Sequence, residues 1–218
     1  MEILKKPHWE VVSPEMRHLL TAIGQQSFAS HFYLAGGTAL SLQIGHRHSL
    51  DFDFFAETDE VKEKRTDEII RSLDSFSIQV IERTLGNMVL LVDNIRIGFF
   101  SYGYPLINPI VKLENVVLAS LADIGLMKCD ALVTRGSRKD FYDLFYIVKS
   151  IPLPDLLQLG SKKYPQFRDF PLLVLESLTL FENADRDLQP MLTKPVPWEK
   201  VKSFFIQQGK NLAKTWFG

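Results

Sequence analysis

Apolar positions in this chain change their spacing near Glu114: before it they alternate or run in short blocks bounded by Gly, Asn and Pro, and beyond it they recur at helical intervals. Ser13-Pro14-Glu15 predicts a helix start, with Ser13 as cap and Pro14 in the first helical position, and an amphipathic run follows to about Ala29. Leu34 and Ala35 end a short apolar, aromatic run that predicts a buried strand. Gly36-Gly37 then allows a tight turn, and Thr38 is expected to cap a helix of about three turns that yields at GHRHS. Leu50 to Phe55 alternates, which places Asp51 and Asp53 on one face of a strand and points Leu50, Phe52 and Phe54 into the core. Residues 60 to 74 predict a strongly charged outer helix, Ser77 to Thr84 a strand, and MVLLVDNIRIGFF a hairpin closed at Asp93-Asn94. After Pro105 and Pro109, helices are expected over about 115 to 134, 138 to 150, 154 to 163, 171 to 183 and 197 to 214.

Strands first and helices later predict an α+β protein: a mixed sheet with flanking helices, followed by a helical lobe. The expected division is residues 1–110 for the sheet domain and 111–218 for a helical domain that completes a nucleotide-sized cleft. At 218 residues and 46% hydrophobic, the chain can bury a sizeable core. The single cysteine, Cys129, cannot form an internal disulfide and is expected as a small buried hydrophobe. No N-terminal apolar leader and no apolar run of membrane-spanning length is seen, so the expected setting is cytoplasmic, with no membrane partner. A net charge of −1 gives no bulk attraction to nucleic acid, so any such contact must be local. The basic clusters at 62 to 65, 135 to 139 and Lys162-Lys163 are expected mainly as solvated faces.

Two carboxylates about 7 Å apart along a strand can bracket one divalent cation, although the same pattern also suits the solvent face of an edge strand. A helix that starts just after Gly36-Gly37 aims its free N–H groups at the turn, which suits a phosphate. Ser49 is placed either to offer its hydroxyl to a phosphate oxygen or to cap the loop. His46 and His48 lack a further ligand of the right kind nearby and are expected to be solvated or phosphate-facing. Lys128 falls on an apolar helical stripe with Val117, Leu121 and Ile124, so it must snorkel, pair with Asp140 or Asp143, or face a cleft.

Four blocks stand in order: Gly36-Gly37-Thr38-Ala39-Leu40; Arg47-His48-Ser49-Leu50-Asp51-Phe52-Asp53; Lys128; and Arg135-Gly136-Ser137-Arg138-Lys139-Asp140-Phe141-Tyr142-Asp143-Leu144. Together they resemble the AbiEii/AbiGii toxin-like family of the nucleotidyltransferase fold, over about residues 30 to 150. The resemblance implies a transferase that moves an NMP from an NTP to an RNA (tRNA) or protein hydroxyl, as the toxin half of a toxin–antitoxin pair with a DNA-binding antitoxin as partner. It implies Mg²⁺, or Mn²⁺, on Asp51 and Asp53, with Lys128 contacting the nucleotide phosphates in a catalytic role. Gly36, Gly37, Thr38, Arg47 and Ser49 would complete the nucleotide site, and Arg135, Asp140 and Asp143 would orient the residues that do the chemistry. In one respect the chain departs from the pattern: the position for a third carboxylate aligns with Gly98, while Asp93 lies at a hairpin tip and Glu114 is remote. The alternatives are therefore a nucleotide-binding module of the same fold impaired in catalysis, and a metal-dependent phosphohydrolase built on the His and Asp residues.

Overall fold

The structure, a computed structural model, describes residues 2–217, and the chain divides into two compact units, Met1–Ser120 and Leu121–Gly218.

The first unit is built on the strands β1 (Glu2–Ile3), β2 (Tyr33–Ala35), β3 (Asp51–Ala56), β4 (Ile78–Thr84), β5 (Asn87–Val92), β6 (Ile95–Ser101), β7 (Val111–Leu113) and β8 (Val116–Leu118). Among the described residues these form one mixed sheet in the order β1-β7-β8-β2-β3-β6-β5-β4. Strand β3 lies in the middle, antiparallel to β2 and parallel to β6, with Asp51 opposite Arg96 and Asp53 opposite Gly98. Its alternation sends Phe52, Phe54 and Ala56 into the core, where Phe54 stacks on Phe99 with centroids 5.3 Å apart and Phe28 and Phe32 meet Phe99 edge-on. Asp51, Asp53 and Phe55 occupy the other, partly exposed face.

Helices α1 (Pro14–Gly24), α2 (Gly36–Ile44) and α3 (Glu63–Ser72) flank the sheet. Ser13 Oγ accepts from Met16 N at 3.2 Å and Pro14 opens α1 as the sequence predicts, but α1 ends at Gly24 rather than near Ala29. The hairpin turn at Asp93-Asn94 has φ of +46° and +66°, the left-handed pair that a two-residue turn needs to match strand twist.

Three expectations need correction. Leu50 does not enter the core; it stands 74% exposed just before β3 begins. The helix expected from about residue 115 starts only at Leu121, because Val111–Leu113 and Val116–Leu118 form a short hairpin turned at Glu114 (φ +52°) that adds β7 and β8 to the sheet. Residues 111–120 therefore lie in the sheet unit and not in the helical one. β1, absent from the sequence reading, pairs in parallel with β7.

The second unit is helical: α4 (Leu121–Thr134), α5 (Arg138–Ile147), α6 (Leu153–Gln158), α7 (Gly160–Lys163), α8 (Phe170–Ser177), α9 (Glu182–Arg186) and α10 (Trp198–Phe217). Two of the expected helices, 154 to 163 and 171 to 183, each appear as a pair of shorter ones. The helices α4 and α5 are joined through Gly136, whose φ of +56° permits the tight reversal and whose N–H donates to the Ala131 carbonyl at 2.9 Å. Phe141 anchors the interior, edge-on to Trp198 and Phe205 at 5.7 and 5.5 Å. No helix among the described residues is long and apolar enough to cross a membrane.

Candidate active site

In the sheet unit, the central feature is the turn between β2 and α2. Gly36 adopts φ +66°, a conformation that a side chain would strain, and a Cβ there would lie 3.1 Å from Asp53 Oδ2. The carboxylate thus sits directly beneath the turn. Gly37 is required by close approach instead: a Cβ at this position would collide with the guanidinium of Arg47, which is buried against the first turn of α2 and donates from Nη1 to the His48 carbonyl at 3.0 Å. The turn therefore gathers backbone N–H groups at a helix N-terminus with a guanidinium beside them, a suitable setting for an anion.

Thr38 does not cap this helix. The cap position is Ala35, and Thr38 lies inside the first turn, where Oγ1 donates to the Asp51 carbonyl. The Thr38 and Ser49 hydroxyls are 2.7 Å apart and both buried, so the pair locks the start of β3 to α2. Of the two roles open to Ser49 from the sequence, this is the local one. His46 is buried rather than solvated, and His48 is partly exposed.

Asp51 and Asp53 share one face of β3, as their spacing predicts. Arg96, opposite Asp51 on β6, donates from Nη1 to Asp53 Oδ1 at 3.3 Å with its side chain 47% exposed. Gly98 is the direct neighbour of Asp53, and a Cβ there would come within 3.2 Å of Asp53 Oδ1 while striking the ring of Phe100. Gly98 thus leaves no carboxylate at the position that the resemblance gives to a third one, and the Phe100 ring fills the space beside it. Asp93 is occupied at its hairpin tip, accepting from Ser77 N at 2.9 Å, and Glu114 is turned to Arg17 and Thr21 on α1. Among the described residues, no group of three or more His, Cys, Asp or Glu is arranged to hold a metal ion. Two hard oxygen donors with open positions suit Mg²⁺, which takes a few carboxylates and completes its shell with water and phosphate oxygens, and do not suit a closed transition-metal site.

Because Gly98 is packed from both sides, Gly98→Ala is expected to destabilise the protein by about 1–3 kcal/mol through overpacking. Chemical denaturation would measure it, and pairing the change with Phe100→Ala should cost less than the sum of the two single changes.

In the helical unit, Lys128 is buried with its Nζ 2.9 Å from Asp140 Oδ1 and 2.6 Å from Asp143 Oδ2, both carboxylates fully buried. Of the arrangements open to Lys128, pairing with Asp140 and Asp143 is present, because α4 and α5 pack side by side and bring their facing charges together. Arg135 adds a two-pronged contact, Nε to Asp140 Oδ2 and Nη2 to Asp140 Oδ1, each at 2.8 Å, and Ser137 Oγ also donates to Asp140. Burial by itself would push the Asp140 carboxyl up, but the Lys128 charge, Arg135 and Ser137 together outweigh it and hold the group well below the usual carboxylate range. A folded-state pKa below the unfolded one means that this contribution to stability is present at neutral pH and is lost as pH falls below about 4. Denaturation midpoints measured between neutral and strongly acidic pH should therefore fall on the acid side, and less steeply when Asp140 is replaced by Asn.

One other reading of this unit changes. Lys163, grouped with Lys162 as a solvated cluster, is fully buried and pairs with Asp123 Oδ1 at 3.0 Å. Cys129 is buried as expected, and burial, with the nearby Asp130 charge, pushes its thiol far above the usual range, so it stays protonated.

Sequence comparison matches residues 18–211 to the family model described as nucleotidyl transferase AbiEii toxin, type IV TA system. An uncharacterized protein of Aquifex aeolicus (strain VF5) is 36% identical over 206 residues, which cover 90% of this chain and 95% of that one. Among solved structures, the nucleotidyltransferase toxin MenT4 of Mycobacterium tuberculosis H37Rv superposes with a TM-score of 0.56 at 18% identity, covering 91% of this chain and 86% of that one. JHP933 from Helicobacter pylori gives a TM-score of 0.53 at 17% identity, covering 94% of each chain. At these identities the structures establish the shared fold. The family match spans most of the chain and includes both the Gly36-to-Asp53 block and the Lys128-to-Asp143 block, and the chain belongs to the AbiEii nucleotidyl transferase toxin family of type IV toxin–antitoxin systems.

Proposed function

We propose that this protein transfers an NMP from an NTP to a hydroxyl of an RNA or protein acceptor in a Mg²⁺-dependent reaction, acting as a toxin restrained by an antitoxin. The observation that carries the proposal is the placement of Asp53 between the Gly36 turn on one side and β6 on the other. Asp51 and Asp53 would hold the metal, which neutralises charge on the phosphate oxygens. The N–H groups at the start of α2 and the Arg47 guanidinium would hold the triphosphate, with Thr38 and Ser49 fixing the distance between that anchor and the carboxylates. In the transfer, the acceptor oxygen forms a bond to the α-phosphorus as the bond to the bridging oxygen of pyrophosphate breaks, and the hydroxyl proton passes to solvent. The chain's contribution is mainly alignment and charge. Lys128, Asp140, Asp143 and Arg135 act at one remove, by fixing α4 against α5.

Labelled NTP incubated with Mg²⁺, the protein and a cell lysate should mark an acceptor of RNA or protein size. Equal labelling by wild type and Asp51→Ala would sink the proposal. Gly98 favours a second reading, a nucleotide binder without transfer, in which NTP raises the melting temperature by mass action and no pyrophosphate is released. The phosphohydrolase alternative calls for a transition-metal site that the described residues do not form.

A further inference from the structure

Two register positions from the row Ala35, Asp53, Gly98, and so on the same face, lies the row Tyr33, Phe55, Phe100. Phe55 is stacked on Tyr33 at 6.0 Å and lies 5.2 Å from Phe100, while Tyr102, just past β6, meets Phe55 edge-on at 5.3 Å and is braced by Tyr104 at 4.8 Å. These rings are distinct from the core aromatics. Phe52, Phe54 and Phe99 fill the opposite face of the sheet, whereas Phe55, Phe100, Tyr102 and Tyr104 are all partly exposed on the face that carries the carboxylates. The Phe100 ring occupies the space over Gly98, immediately beside the Asp53 carboxylate. Where a third carboxylate would stand, this chain offers a flat apolar surface.

The order of the strands gives that surface a role. Asp53 has the glycine turn of β2 and α2 on one side and β6 on the other. Nucleotidyl transfer proceeds in line, with the attacking hydroxyl and the departing pyrophosphate on opposite sides of the phosphorus. If the triphosphate is anchored at the turn, the acceptor must approach from the β6 side, over the aromatic rings. Flat aromatic surfaces bind nucleobases whatever their identity, because every base presents a π-face, and the exposed Arg96 guanidinium on the same face is available to an acceptor phosphate.

We infer that the shelf formed by Phe55, Phe100 and Tyr102 is the subsite on which a nucleobase of the acceptor strand stacks, so that an adjoining ribose hydroxyl is delivered beside Asp53. This rests on the transferase reading above and assigns its acceptor side. The test uses the full chain and single-stranded oligoribonucleotides that end in either 2-aminopurine or an abasic residue, with binding followed by anisotropy and stacking by quenching of the 2-aminopurine. The wild type should favour the base-bearing strand by roughly 5- to 150-fold, the range of a single base–aromatic stack. Phe100→Leu should bring the two strands to near parity, Phe100→Trp should retain the preference, and the rise in melting temperature with NTP and Mg²⁺ should persist in both. Tyr102→Leu serves the same purpose if Phe100→Leu does not fold. A wild type indifferent to the terminal base, a Phe100→Leu variant that keeps the preference, or a lysate protein labelled equally by wild type and Phe100→Leu would each overturn the inference. Failure of NTP and Mg²⁺ to stabilise the wild type would instead strike the transferase reading, since the base preference is read without nucleotide.

Discussion

Lys128→Met is expected to destabilise the protein by roughly 3–5 kcal/mol, since it removes the cation shared by two fully buried carboxylates. Methionine can fill the aliphatic track of the lysine, so the loss comes from charge and not from a cavity. Asp140 would keep Arg135 and Ser137, whereas Asp143 would lose its 2.6 Å contact to the ammonium. The penalty should therefore shrink when Asp143→Asn is added, which would trace part of the loss to the Asp143 charge. In a chain of this length the single change corresponds to a fall in melting temperature on the order of 10 °C. A neutral or stabilised Lys128→Met would instead favour the phosphate contact that the family resemblance implies for this lysine.

The Asp53→Asn change should behave in the opposite way, leaving the fold and removing the chemistry. Its Arg96 partner is half-exposed and the contact is 3.3 Å, so the ion pair contributes about 0–1 kcal/mol, within the range of surface pairs. If Asp53 holds the metal as proposed, its loss should lower NMP transfer by roughly 10²–10³-fold or more, the scale seen when a group that stabilises developing charge is deleted. Asp51→Asn should match it on transfer. Melting curves without nucleotide should nearly overlay the wild type for both variants, while the stabilisation by NTP and Mg²⁺ disappears. A drop in stability as large as that of a core truncation would mean that these carboxylates serve the fold and not the substrate.

How much of this could be read from the chain depended on how local each feature is. The β2, Gly36-Gly37, α2 and β3 block is specified by neighbours in sequence, and strand alternation alone puts Asp51 and Asp53 on one face. The Asp93-Asn94 turn is equally local. By contrast, β7 and β8 are three residues each, too short for a period of two to stand apart from the helix that follows, and their pairing with each other and with β1 and β2 makes them strands. Thr38 looked like a cap because caps favour threonine; its true partners, Asp51 and Ser49, come from the far side of the helix and the loop. For Lys128 the sequence allowed pairing with Asp140 or Asp143, and the packing of α4 on α5 brings both carboxylates to it. The aromatic shelf was not read from the sequence, although its signal was present: Phe55 on β3 and Phe100 and Tyr102 at alternate positions along and just past β6 fall on the carboxylate face, where core packing does not require aromatic residues.

The parallel pairing of β3 with β6 has a temporal consequence. A parallel neighbour cannot be supplied by a tight hairpin, so β3 must wait for β4 and β5 to be synthesised and for β6 to return alongside it. Until Ser101 has left the ribosome, Asp53 has no neighbour on that flank and the Gly36 turn has nothing rigid to close upon. Parallel pairing between strands so far apart in sequence is among the slower steps of folding, so Asp53 gains its β6 neighbour late. The carboxylate-bearing face of the sheet is thus completed only after its own strand and turn have been made.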